Sequence, residues 1–283
     1  MDTRQAAQHT SGQTGWALVT GASAGIGAEF CRQLAAKGFS LVLVARRIEK
    51  LQTLADELKT SQSNAGHPIE CIIIQADLSD KTASQHIVEQ LDANNIEIDY
   101  LINNAGYGLP GSFHVPDWKA HEDFLQVMVT AVCDLTHRLL PGMQSRHRGQ
   151  IVNIASVAGL IPAAAGHTLY GASKAFLIKF SESLARENRS KGVKVTALCP
   201  GFTYSEFHDV NNTRKGVSQL PDIMWLEADF VVRECLEAVE KEQVPTMIVP
   251  GRQYRTLLWL NRYMPWLANM LMSRNSSKYR TTD

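Results

Sequence analysis

Tyr170 and Lys174 stand four residues apart in Tyr170-Gly171-Ala172-Ser173-Lys174, so on a helix they share one face, one turn apart. A free phenol keeps its proton up to a pKa of about 10 and is a poor base at neutral pH. An ammonium one turn away favours the phenolate and moves the group toward the range useful for proton transfer. A YxxxK pair is common by itself. This one gains meaning because Ser156 ends the apolar run Ile151-Val152-Asn153-Ile154-Ala155 fourteen positions earlier.

A second group of residues has phosphate chemistry. Thr20-Gly21-Ala22-Ser23-Ala24-Gly25-Ile26-Gly27 follows the apolar run Trp16-Ala17-Leu18-Val19 and leads into a helical pattern. Glycines there let the backbone turn tightly and approach a pyrophosphate, while the helix N-terminus offers free N–H groups and a positive dipole end. Gly21, Ser23, Gly25, Ile26 and Gly27 are the expected lining. The next apolar run, Leu41-Val42-Leu43-Val44, ends in Ala45-Arg46-Arg47, where an NAD site would carry an acidic side chain for the ribose 2′-OH. Guanidinium groups pair with phosphate, so Arg46 and Arg47 favour the 2′-phosphate of NADP. Their alternative is a solvated helix start, although cations there oppose the helix dipole.

The elements that must position these residues alternate. Apolar strand-like runs at 16–20, 41–45, 71–76, 100–103, 150–155, 194–198 and 246–249 are separated by helical spacing at 28–37, 48–59, 80–94, 117–145, 170–190 and 229–241. The long 117–145 helix is expected to break near Pro141. Continuous apolar strands between helices imply an α/β fold, a Rossmann-type doubly wound parallel sheet forming a single domain. Ligands then bind beyond the C-terminal strand ends, where the motifs lie. The expected organisation is a disordered polar leader at 1–14, the domain at 15–250 with a substrate flap at 203–226, and an aromatic, basic C-terminal extension at 251–283.

TGxxxGxG, in place of GxGxxG, resembles the fingerprint of the short-chain dehydrogenase/reductase family, and the resemblance runs across about residues 14–250. It implies that Tyr170 exchanges a proton with the substrate oxygen, Ser156 orients that oxygen, and Lys174 tunes Tyr170 and holds the nicotinamide ribose. Asp77 and Leu78 end the third strand, where the family contacts adenine; a helix N-cap is the competing role for Asp77. Asn103-Asn104-Ala105-Gly106 resembles the NNAG motif, so Asn104, Ala105 and Gly106 are expected beside the cofactor ribose, with a purely sheet-stabilising turn as the other role. Pro200, Gly201 and Thr203 resemble the PG segment that packs on the nicotinamide end, and Ser205 stands where Thr is more usual. The Ser156-to-Tyr170 loop is one residue longer than usual. One departure touches the chemistry. Met128 stands where the family usually has an Asn that supports a water-linked proton relay, and a thioether cannot replace an amide.

Composition narrows the classes. Lys plus Arg and Asp plus Glu both number 28, which argues against nucleic-acid binding. Cys31, Cys71, Cys133, Cys199 and Cys235 are widely spaced without metal-ligand spacing, so free thiols in a reducing compartment are expected and no metal. The polar start has no apolar signal region, and no run of about 18 apolar residues predicts a spanning helix. A cytoplasmic location follows. The extension mixes Trp259, Tyr263 and Trp266 with Arg252, Arg255, Arg262, Arg274, Lys278 and Arg280, and its one acidic side chain is Asp283. It packs on the domain or a second subunit, or lies on a membrane surface through 252–280. The resemblance also implies a dimer or tetramer.

The reading is an NADP(H)-dependent oxidoreductase that moves a hydride between the nicotinamide and a carbonyl or secondary alcohol. An apolar substrate is expected: steroid-like, retinoid-like or a 3-oxoacyl group. His114, His167 and His208 are candidates for the pocket wall, though each is as ordinary as a surface or core histidine. The alternative is a non-catalytic NADP-binding sensor or scaffold on the same fold, motivated by Met128.

Overall fold

The computed structural model describes residues 15–109, 111–163, 165–166, 168–205 and 221–264. Seven strands, β1 (Trp16–Thr20), β2 (Ser40–Ala45), β3 (Cys71–Gln75), β4 (Ile98–Asn103), β5 (Gly149–Ile154), β6 (Val193–Leu198) and β7 (Met247–Ile248), form one sheet in the order β3-β2-β1-β4-β5-β6-β7. Every pairing is parallel. The helices between them are α1 (Gly25–Ala36), α2 (Ile48–Asn64), α3 (Ala83–Ala93), α4 (Trp118–Leu125), α5 (Ala131–Ser145), α6 (Thr168–Glu187) and α7 (Ala228–Val239); α8 (Arg252–Tyr263) follows β7.

The near-continuous apolar strands are explained by two covered faces. All six residues of β2 are buried. Leu41, Leu43 and Ala45 pack with α1, α2, α7 and Tyr254, while Val42 and Val44 point the other way into the layer of α3, α5 and α6. That is the period-two alternation of a strand, with apolar partners on both sides.

The order runs outward from β1 to β3 in one direction and from β4 to β7 in the other. The switch between β1 and β4 opens a crevice at their C-terminal ends, the ordinary ligand position in such sheets. Thr20 closes its floor. Its hydroxyl donates to the Ile102 carbonyl at 3.3 Å and accepts the backbone N–H groups of Asn104 and Ala105 at 3.0 Å each.

The interruption expected near Pro141 lies elsewhere. α5 runs through Pro141, and the break is a π-turn at Gln126–Thr130 between α4 and α5. Proline already has helical φ and removes one backbone donor, which a helix packed on a sheet can absorb. The π-turn inserts an extra residue, which periodicity alone does not reveal. It holds Met128 buried against the end of β4. α3 also begins later than expected, because Asp80 accepts both the N–H and the hydroxyl of Thr82 (2.8 and 2.7 Å) in a turn of its own.

A polar chain crosses the sheet interior beneath the site. The Asn103 amide donates to Asn153 Oδ1 at 2.8 Å and Thr136 Oγ1 at 3.2 Å; Asn153 donates to Ser181 Oγ at 2.9 Å, and Ser181 donates to the Leu177 carbonyl at 2.7 Å. Each of these buried donors is satisfied. The chain therefore ties β4, β5, α5 and α6 together without an unpaired amide, a defect that would cost about 1–3 kcal/mol.

Candidate active site

The glycine turn is built by close approach. Gly21 and Gly25 have φ of +65° and +54°, a region that favours glycine. A Cβ on Gly27 would lie 2.4 Å from both the Asn104 amide and the Gly21 carbonyl, and one on Gly25 would lie 2.8 Å from Ser205 Cβ. Asn104 Nδ2 donates to the carbonyls of Thr20 at 2.9 Å and Gly21 at 3.2 Å. The sheet-stabilising role of Asn104 is therefore present in the geometry. Ala24, before α1, makes no side-chain cap, which leaves the first turn's N–H groups uncapped by a side chain.

At the C-terminal end of β2, Arg46 and Arg47 are exposed. Arg47 reaches across to the turn and donates to Ser23 Oγ at 3.0 Å, while Arg46 lies 3.8 Å from Asp77. One guanidinium group thus borders the glycine turn and the other the end of β3. Asp77 is no helix cap: its Oδ1 accepts the Ser79 N–H and hydroxyl at 3.0 and 2.8 Å, and α3 begins only at Ala83. Leu78 is buried in the α3 layer and Ala105 packs against the same cluster. Their side chains serve the core.

Ser156, Tyr170 and Lys174 come together at the ends of β5 and the start of α6. The Ser156 side chain lies close enough to the Tyr170 phenol to lower its pKa. Ser156 Oγ also accepts the Ala158 N–H at 3.1 Å and donates to the Pro200 carbonyl at 3.4 Å. Lys174 is buried, donates to the Ile154 carbonyl at 2.7 Å, and has its Nζ 5.6 Å from the Tyr170 ring centroid. Burial pushes the Tyr170 phenol up to about 12, against the lowering effect of Ser156. Burial likewise pulls Lys174 down to about 8, with Cys199 acting weakly in the opposite direction. The upward direction of the phenol comes from burial, which outweighs the neighbouring hydroxyl. The ammonium is engaged by Ile154, and desolvation sets both groups. Tyr170 is therefore a protonated acid at neutral pH.

The segment after β6 joins the two halves. Buried Pro200 accepts the Val157 N–H at 3.1 Å as well as the Ser156 hydroxyl, and Ser205 packs on Gly25. Thr203 is buried with its hydroxyl on the Gly201 carbonyl at 3.1 Å. Of the 203–226 flap, 206–220 lie outside the described residues, as do His167 and His208 and the extension beyond Met264.

A small cavity between the chain after β4 and the first residues of α6 is lined by Leu109, Phe113, Pro116, His121 and Leu169 among others. His114 is exposed and is not among its lining residues. The wall histidine is His121, which sequence reasoning missed. It is buried, its Nε2 meets the Phe113 carbonyl at 2.8 Å, and its Nδ1 has no hydrogen-bond partner among the described residues. A carbonyl only accepts, so Nε2 carries the proton and Nδ1 is an acceptor. No motif marks it; only its helical position facing Phe113 could have. Met128 fills the space beside Gly106, where a Cβ would lie 2.9 Å from its sulfur, and offers no proton donor.

A family model described as short chain dehydrogenase matches residues 15–216. The chain belongs to the short-chain dehydrogenase family. This short-chain dehydrogenase is 36% identical over 202 residues to a very-long-chain 3-oxoacyl-CoA reductase of Anas platyrhynchos, covering 69% of this chain and 62% of that protein. It is 38% identical over 189 residues to a 17-beta-hydroxysteroid dehydrogenase type 3 of Mus musculus, covering 65% and 59%. The match thus spans about three fifths of the length of these two relatives. A solved short-chain dehydrogenase from Sphingobium yanoikuyae in complex with NADPH is similar with a TM-score of 0.76 and 30% identity, covering 92% of this chain and 95% of that one. The seven-stranded parallel sheet is thus the fold that this chain shares with solved members of the family.

The buried ammonium has a thermodynamic signature. Between about 8 and the ordinary lysine range the unfolded chain holds a proton that folded Lys174 has lost, so this group's contribution to stability rises with pH. Buried cysteines titrate as well, so the informative quantity is the difference between wild type and Lys174→Met. Denaturant unfolding from pH 7.5 to 10.5 should show that difference moving toward wild type by about 1–3 kcal/mol. A difference independent of pH would contradict a buried ammonium.

Proposed function

We propose that this short-chain dehydrogenase is an NADP(H)-dependent reductase of a carbonyl on an apolar substrate. The observation that carries the reading is the convergence of Ser156, at the end of β5, with Tyr170 and buried Lys174 on the first turns of α6, Lys174 Nζ lying 5.6 Å from the Tyr170 ring centroid. The glycine turn and the first turn of α1 would hold the pyrophosphate, and Arg46 and Arg47 the 2′-phosphate. Asp77 would face the adenine; Asn104, Ala105, Gly106 and Lys174 the ribose; and Pro200, Gly201 and Thr203 the nicotinamide end. The reduced nicotinamide supplies the hydride when bound.

The chain's own residues handle the oxygen. Ser156 holds it, Tyr170 gives it the phenolic proton, and Lys174 keeps positive charge beside the phenol as that proton leaves. A phenol held protonated by burial suits reduction, where the acid form is consumed. Leu109, Phe113, Pro116 and Leu169 make an apolar wall, and the 3-oxoacyl-CoA reductase and hydroxysteroid dehydrogenase named above support a long-chain 3-oxoacyl or steroid-like ketone. Met128 favours a second reading, a non-catalytic NADP-binding sensor, because a thioether packed beside Gly106 stands where relatives usually carry an Asn.

Purified protein with a panel of apolar ketones, followed at 340 nm, separates these readings. The reductase reading expects oxidation of NADPH faster than NADH, a loss of kcat of about 10²–10⁴-fold in Tyr170→Phe, and a preference for NADPH reduced about tenfold in Arg46→Ala/Arg47→Ala. Tight NADPH binding without turnover in wild type would favour the sensor.

The partner side of the proposal concerns α8. No helix among the described residues is long and apolar enough to cross a membrane. Tyr254 and Leu257 turn toward the core, whereas Arg252, Arg255, Thr256, Trp259, Arg262 and Tyr263 are exposed along the opposite face, and α8 has no acidic side chain. Exposed aromatics among arginines suit an anionic bilayer surface. With five free thiols, a reducing cytoplasmic face is the matching compartment, and the exposed Phe176 stacked on Phe180 in α6 suits a homo-oligomer. The protein should co-sediment with phosphatidylcholine vesicles containing phosphatidylserine, lose this in Trp259→Ala/Arg262→Glu, and ignore pure phosphatidylcholine. Equal recovery with and without the anionic lipid would overturn the contact.

A further inference from the structure

We infer that Tyr254, in the helix beyond the last strand, is a positioning residue for the nicotinamide side of the site. The inference rests on the NADP(H) reading above and adds a residue that no motif of the sequence marks.

Tyr254 is fully buried, and its hydroxyl is used twice. It accepts the Phe202 N–H at 2.9 Å and donates to the Met224 carbonyl. Those two backbone groups belong to two segments of chain that pair here. Thr203 forms a bridge with Leu226, the Tyr204 N–H donates to the Leu226 carbonyl at 2.9 Å, and the Leu226 N–H donates to the Phe202 carbonyl at 2.8 Å. Trp225 lies against both Phe202 and Tyr204, with ring centroids 5.8 and 4.7 Å away. The neighbouring Gln253 donates to the Ile223 carbonyl at 3.1 Å. The first turn of α8 thus holds both sides of this short pairing from below.

The steric fit is as specific as the hydrogen bonds. The Tyr254 ring occupies the space beside Gly201, where a Cβ would fall 1.9 Å from Cζ. Gly201 has an ordinary backbone conformation, so its lack of a side chain serves this packing rather than a turn. The segment that Tyr254 fixes is the one that bonds Ser156 through Pro200 and packs on Gly25 through Ser205. Shifting it would displace the nucleotide side of the crevice while leaving Tyr170 and Lys174 on α6.

Tyr254→Phe keeps the ring and removes both hydrogen bonds. NADPH titration by protein fluorescence should give a Kd raised about tenfold, the scale of one buried hydrogen-bond defect. KM for NADPH should rise in parallel, with kcat at saturating NADPH nearly unchanged. Leu91→Ala, a cavity in the opposite layer, provides the structural control: it lowers Tm and leaves the Kd alone. An unchanged Kd in Tyr254→Phe, with a Tm loss like that of Leu91→Ala, would reduce Tyr254 to a packing residue and overturn the inference. Should Tyr254→Phe fail to fold, Gly201→Ala pushes on the same ring and is read in the same way. If wild type binds neither NADPH nor NADH, the NADP(H) reading fails. Hydrogen exchange then decides the clamp: faster exchange at Phe202 and Leu226 in Tyr254→Phe, absent from Leu91→Ala, upholds it, and unchanged exchange rejects it.

Discussion

Asn104 puts its amide into the space that side chains on Gly27 and Gly21 would need, and the rest of the site is arranged around that contact. The amide is held by carbonyls of the turn itself, while Thr20 takes up the N–H groups that follow β4. Adjacent parallel strands bring their C-terminal ends together, but nothing in the ladder specifies how close the loops above them come. Here the glycines allow the approach and the amide occupies it. With that distance set, the first turn of α1 points into the crevice, and Arg47 can reach Ser23 from the neighbouring strand.

Ser156, Tyr170 and Lys174 come from the other half of the sheet and obey a different constraint. Their elements are tied beneath the site by the Asn103–Asn153–Ser181 chain, which satisfies every polar group it buries. Above it, Lys174 is held dry by the same packing, at the expense of its own charge. A buried ammonium is a destabilising element in the absence of a partner anion or dipole, and the Ile154 carbonyl compensates only in part. Such a group belongs where it gains a function, and the proposed proton transfer from the neighbouring phenol would supply one.

Much of this arrangement was legible in the sequence because it is local. Glycines after a first strand, arginines after a second and a Tyr–Lys pair one helical turn apart each declare themselves within a few residues, and the order of strands follows from their alternation with helices. What escaped notice depends on distant chain. The π-turn at Gln126–Thr130 comes from one added residue in a helix whose apolar spacing looks continuous. Tyr254 meets Phe202 across 52 positions, and in the sequence it reads as one more aromatic in a basic tail. The Tyr–Lys spacing says nothing of burial, and burial is the larger influence on the Tyr170 phenol. His121 reaches its place only through the fold of the chain after β4.

The account's central claim is direct hydride transfer from NADPH to a ketone held by Ser156 and Tyr170. It is tested most directly with NADPH deuterated at both C4 positions, in a single turnover with an apolar ketone, followed by mass spectrometry of the alcohol. The account predicts one deuterium on the carbinol carbon. Alcohol formed without deuterium, or bound NADPH that forms no alcohol from any ketone of the panel, would contradict it.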